Sequence, residues 1–207
     1  MSTLEVKELA APSGFDLKIA SGETLDLRSQ GIVTMPAGAI LQVVNLTKKE
    51  RITISNAATK VIETSLVTKG ANSSIFVVID IGISGTDTAS SDQDLVLAAG
   101  YKTGSSSSTS SDYTSISTGT FSRRAISGLN GWYASDTHRD GAGYNKYWAE
   151  TKTYNKKFTT SAAAGTTINV AQWAGTDGTY YIGGMKGSVS ISDAGQELSI
   201  TLMEVAG

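Results

Sequence analysis

From residue 39 onward, apolar and polar residues alternate at every second position over short runs. Alternation with period two puts one side of an extended strand in a core and the other in water. It predicts strands at "AILQVVNLT" (39–47), "RITIS" (51–55), "KVIETSLVTK" (60–69), "QDLVLAAGYK" (93–102) and "YWAETKTYNKKF" (147–158). Further strands are predicted at "TTINVAQWAG" (166–175), "TYYIGG" (179–184), "GSVSISDAG" (187–195) and "ELSITLMEV" (197–205), with a weak one at "FSRRAIS" (121–127). One run departs from strict alternation. "SIFVVIDIGIS" (74–84) is almost continuously apolar, so it reads as a central strand buried on both faces, or on one face plus a subunit interface. Turn residues recur between these runs and no segment has a helical period. That spacing is the signature of an all-β fold, a β-sandwich of jelly-roll type. In the last run Leu198, Ile200, Leu202 and Glu204 share one face. A final strand has no hairpin partner ahead of it, so it is expected to close the sheet against 39–47.

Residues 1–38 read differently. "TLEVKEL", "FDLKIA" and "TLDLRS" alternate over only a few positions each. Two or three short strands are marginal in water and need other copies or a host surface. This segment is therefore expected to be an attachment or stalk piece, separated by "TMPAG" from a head domain spanning 39–207. "TGSSSSTSSDYTSISTGT" (103–120) is low in complexity and reads as a long, solvated loop. "NGWYASDTHRDGAGYNKYW" (130–148) is rich in Gly and aromatic residues, and 130–146 is expected to be a loop.

Composition narrows the function classes. Charged residues make up 17% of the chain, below the usual ~25%, and Ser, Thr, Gly and Ala fill the gap. The net charge of −2 leaves no basic face for phosphates, so nucleic acid is not an expected partner. There is no Cys, which removes thiolate metal sites, disulfides and Cys nucleophiles together. The N-terminus lacks the apolar run of a signal peptide, and no stretch is long enough to insert in a membrane.

Candidate chemistry is sparse. The single His, His138, lies between Asp136 and Asp140 at alternate positions, a spacing that would suit metal ligands on a strand. Among Gly and Asn a solvated loop is the expectation instead. Asp87, Asp92 and Asp94 lack the order of a calcium loop. No P-loop, "GxGxxG" or "GxSxG" occurs, so no enzyme, no metal and no cofactor are predicted. The aromatics are the better candidates. Tyr147 and Trp148 begin a strand and read as core. Trp132, Tyr133 and Tyr144, with Asp136, Arg139 and Asp140, form the candidate contact surface for a receptor or partner. Aromatic faces cover apolar surface of a sugar or protein, and charged groups bond its polar rim.

Four pieces of the chain carry a family resemblance: "MSTLEVKEL", "MPAGAILQVVN", "SSIFVVIDIGISG" and "LSITLMEVAG". Many tailed phages, particularly of marine bacteria, encode tail-fibre, fibre-like or virion structural proteins that begin "MSTLKVN" and end "ITLMEIAG". The present sequence resembles them in the order and spacing of these pieces; residues 85–165 match nothing in them. The resemblance implies a virion component made in the bacterial cytoplasm and displayed on the particle exterior. It implies an N-terminal segment bound to other virion proteins of tail, baseplate or capsid, a C-terminal β-sandwich, a homotrimer and no catalytic residues. With only 38 residues ahead of the head, a short tail fibre, spike or fibre tip that contacts a host surface glycan or protein is expected. A capsid head fibre or decoration protein without a receptor role stands as the alternative. A carbohydrate-binding β-sandwich module is the rival from another class.

Overall fold

The structure is a computed structural model, and it describes residues 36–55, 58–87, 94–117, 126–136, 146–176, 179–183 and 197–207. The chain divides into two units, Met1–Thr34 and Met35–Gly207. The described residues all lie in the second. The predicted attachment strands of 1–35, most of "FSRRAIS" and the "GSVSISDAG" strand fall outside them.

The described residues of the second unit are nearly all β, with one 3-10 turn. Its strands are β1 (Ile40–Lys48), β2 (Ile52–Ser55), β3 (Thr59–Val67), β4 (Ser74–Asp87), β5 (Asp94–Thr103) and β6 (Thr114–Ser115). They continue with β7 (Gly131–Asp136), β8 (Lys146–Thr159), β9 (Thr167–Thr176), β10 (Thr179–Ile182) and β11 (Leu198–Val205). These build two antiparallel sheets packed face to face as a sandwich.

The first sheet is organised on β4. One side of β4 is paired along its whole length with β8, from Ser74 with Thr159 to Asp87 with Lys146. The other side is shared end to end by β11, opposite Ser74–Asp80, and β10, opposite Ile83–Gly85. Outside these lie β1 on β11 and β2 on β10. The predicted closure is present: Val44 stands opposite Leu202 and Leu46 opposite Ile200. In the second sheet β9 lies between β3 and β5, and the far side of β5 is shared by β6 and β7.

Strand periodicity explains the core. On β4, Ile75, Val77, Ile79, Ile81 and Ile83 all point inward and are fully buried. On β11, Leu198, Ile200 and Leu202 join them. The second sheet contributes Leu66, Leu95, Leu97, Ile168 and Val170. Burying one such side chain stabilises by about 1.5–3 kcal/mol, and β-branched residues also fit the pleat. Tyr154 of β8 reaches inward too; its hydroxyl donates to the Ile116 carbonyl at 3.0 Å, and burial pushes its pKa up to about 12.

The inward series of β11 continues with Glu204, a fully buried carboxylate. It is surrounded by donors from the turn after β3 and from β1. Lys69 and Gly70 donate their backbone N–H groups, Ser73 its hydroxyl and Gln42 its side-chain amide. Burial pushes the Glu204 pKa up, and these four donors more than offset that, leaving it below the usual 4.5.

The Ser-rich stretch departs from the expected solvated loop. Residues 104–113 cross the outer face of the second sheet, and the chain then joins its edge as β6 and enters the core at Ile116. Ser110–Asp112 form a 3-10 turn, and β6 pairs with Gly100 and Tyr101 of β5. Tyr113, Ile116 and Ser117 are buried. The polar composition hid this because only two apolar side chains, Tyr113 and Ile116, secure the segment.

Candidate functional site

The six predicted contact residues divide between two settings. Trp132, Tyr133 and Asp136 fall on β7, a strand where a loop is expected. Tyr133 stands opposite Leu97 and Asp136 opposite Asp94. Trp132 lies at the shift of register between those pairs and the Gly131–Ala98 pair. The flanking Gly and Asn suggested a loop, but Trp and Tyr favour strands, and a Gly next to a bulge is common. Arg139, Asp140 and Tyr144 lie outside the described residues, as do His138 and Asp92. Tyr147 and Trp148 are on β8, as predicted, opposite Thr86 and Gly85. Asp87 ends β4 and Asp94 begins β5. Among the described residues no three His, Asp or Glu side chains gather as a metal site.

The structure instead presents two surfaces. The first is the outer face of the β4 sheet. Directly opposed residues share a face, so the register places Val43, Met203, Phe76 and Lys157 in one row across four strands. The next row holds Asn45, Thr201, Val78 and Asn155. Val43 is 54% exposed, Phe76 42% and Val78 38%. Ile40 of β1 is also exposed, and the Gln42 side-chain amide reaches the other sheet, donating to the Val67 carbonyl of β3 at 2.7 Å. The Lys157 ammonium stands 5.7 Å from the centre of the Phe76 ring. Away from this strip the face turns polar: Asn45 donates to the Thr201 hydroxyl at 2.8 Å, and Thr153 to Asp80 at 2.5 Å. Of the two readings of β4, the structure therefore has one face in the core and the other free in the single chain. The apolar residues at even positions, Phe76 and Val78, were the sequence signal for it.

The second surface lies where 104–113 crosses the other sheet. Glu63 of β3 accepts from Lys60 Nζ at 2.6 Å, from Ser106 Oγ at 2.6 Å and from the Tyr113 hydroxyl. Burial raises the Glu63 pKa, but the bonds from Lys60, Ser106 and Tyr113 and the Lys60 charge outweigh it, so the carboxyl is held below 4.5. The Tyr113 ring meets Trp173 edge-on at 5.6 Å between centres, and Lys60 Nζ lies 5.9 Å from the Trp173 ring. Trp173 is buried, and its indole N–H has no hydrogen-bond partner among the described residues. Sequence reading missed this cluster because it joins residues 60, 113 and 173, which no local pattern connects.

Both surfaces consist of packed side chains and the hydrogen bonds and ion pairs between them. No protein-family model matches the chain, and no curated protein matches it. Among solved structures, it is similar to a chain in the structure of infectious bursal disease virus Gx strain. The two are 12% identical with a TM-score of 0.35, over 96% of this chain and 46% of that one. The present chain thus spans less than half of that neighbour, and a likeness this loose does not carry a function across.

Proposed function

We propose that this protein is a structural component of a virion, a small β-sandwich head displayed on a tailed-phage particle as a short tail fibre, spike or fibre tip. Its work is assembly and contact rather than catalysis. The observation that carries the reading is the strip of Val43, Met203, Phe76 and Val78 on the outer face of the β4 sheet. A sandwich whose inner faces are already filled gains nothing in the monomer from large apolar groups outside. A surface shared between copies uses them, since obligate interfaces resemble a core cut in half. The resemblance of both ends of the chain to phage fibre proteins supports the same reading and makes a homotrimer the proposed assembly. In this arrangement residues 1–38 hold the head on the particle. Residues 130–146, with Trp132 and Tyr133, meet the host surface.

Immunogold labelling of purified particles tests the proposal. Label on the tail or its tip is expected. Label over the capsid surface would replace the fibre role by that of a head decoration, and particles without the protein would overturn the virion role altogether.

A further inference from the structure

We propose that residues 104–113 form an acid-released strap over Trp173, clamped shut by ionised Glu63 and lifted when that carboxylate takes a proton. The inference concerns the opposite sheet from the proposed assembly surface and does not depend on it.

Apart from Tyr113, which is buried in a small apolar cluster with Ala98, Ile126, Leu129, Ala171 and Trp173, the strap is held by polar groups. Its first nine residues, "GSSSSTSSD", include no apolar side chain. Its one aromatic contact is the edge of Tyr113 against Trp173. At the start, Gly104 is tied to β9, donating to the Thr167 carbonyl at 2.9 Å and accepting from the Asn169 amide at 2.5 Å. Further along, Ser110 Oγ donates to the Ser127 carbonyl at 3.0 Å. Beyond the strap the chain is locked: Ile116 is in the core, and its N–H donates to the Ala99 carbonyl at 3.0 Å. Between these ends every bond from the strap to β3 runs through one ion pair. Ser106 and Tyr113 donate to Glu63, and Lys60 donates to Ser106 Oγ and the Ser107 carbonyl, both at 3.0 Å. The Tyr113 hydroxyl also accepts from the Ser107 N–H at 3.1 Å.

Protonation acts on this arrangement in one direction. A neutral carboxyl loses the attraction of Lys60, and its new O–H is a donor facing three donors already aimed at it. Charge-assisted bonds become ordinary or repulsive contacts together, because they share the same two oxygens. The closed state also carries a standing cost, the buried Trp173 N–H without an acceptor among the described residues. Water reaches that group once the strap lifts, so opening removes the cost. Among the described residues, few other titratable groups face the strap. β3 supplies Lys60, and β5 supplies Lys102, which shares the outer face with Gly100 by strand alternation. The strap itself supplies Asp112 and Tyr113, and β9 supplies none among its described residues. Asp112 is exposed and accepts from Ser107 Oγ within the strap, so its charge does not bridge to the sheet. The Glu63 carboxyl, held below 4.5, keeps the strap shut at neutral pH and lets go as pH falls through that lowered value.

Amide hydrogen exchange of the full chain, read by mass spectrometry and corrected for intrinsic rates, tests the strap. In Glu63→Gln at pH 7, peptides covering 104–113 are expected to exchange at least tenfold faster than in the wild type, with β4 and β9 unchanged. The wild type should show the same local loss as pH is lowered below 4.5, and Asp112→Asn should behave as wild type. Equal protection of 104–113 in Glu63→Gln and wild type at pH 7 would overturn the proposal. So would a loss shared equally by β4 and β9. If Glu63→Gln does not fold, the wild-type and Asp112→Asn titrations decide: a local loss in both supports the strap, and its absence in either rejects it.

Discussion

The Ser73 hydroxyl donates to Oε1 of Glu204 at 2.7 Å, and both side chains are closed off from solvent. The bond joins the last strand to the turn between β3 and β4, and so fixes where one sheet passes the chain to the other. Truncating Glu204 leaves the N–H groups of Lys69 and Gly70 and the Ser73 hydroxyl without that acceptor. Glu204→Ala is expected to cost about 3 kcal/mol, with Glu204→Gln costing less because one acceptor oxygen remains. Urea denaturation at pH 7 measures both. Since the folded-state pKa is lowered, the contribution is present at neutral pH and is lost as pH falls through the lowered value. The gap between wild type and Glu204→Gln should therefore narrow on acidification; a gap independent of pH would contradict the ionised carboxylate.

The proposed assembly surface makes a separate prediction. Phe76→Ser with Val78→Ser should leave the melting transition of the head cooperative, because both side chains point away from the core. Light scattering should show wild type near three chain masses and the double variant near one. A wild type that is monomeric at micromolar concentration would remove the trimer from the proposal.

The strand position of Trp132 and Tyr133 sharpens the test of host contact. A contact role predicts that Trp132→Ala with Tyr133→Ala folds, assembles and adsorbs to host cells more weakly, with avidity amplifying a small loss per site. Unchanged adsorption by well-assembled particles would reject that role. Failure to fold would assign the pair to packing.

Gly183, just after β10, has φ +79° and lies against the chain after β1. A Cβ there would stand 2.0 Å from the Glu50 carbonyl oxygen, a backbone atom that cannot step aside. Gly183→Ala is expected to destabilise by more than about 3 kcal/mol, combining the left-handed conformation with the overlap. A melting temperature within a few degrees of wild type would show that the β1–β2 connection can shift.

Much of the fold was legible because it rests on period-two patterning. The β1–β11 closure, the buried series of β4 and the inward turn of Glu204 all follow from counting alternate residues. What stayed hidden depends on contacts between distant segments. The Ser-rich stretch looked solvated because hydroxyls that bond to a distant carboxylate look the same in sequence as hydroxyls that bond to water. β7 reads as a loop in the sequence because Gly131 and its neighbours resemble a turn; only the partner β5 makes them a strand. The Lys60–Glu63–Tyr113–Trp173 cluster has no local signature, since its members meet only when β3, β9 and the strap are assembled.

The placement of β11 between β1 and β4 also sets a schedule for the nascent chain. Asn45 and its bonding partner Thr201 are 156 residues apart, so β1 leaves the ribosome long before its neighbour exists. Until residues 198–205 are made, one side of β4 alongside Ser74–Asp80 lies open, and its apolar residues are available to other chains. Such non-local pairing makes folding slow and leaves the waiting strands open to wrong partners. Crowded synthesis of many copies would favour a chaperone, or early docking of neighbouring chains, to shield that gap until the last strand slides in.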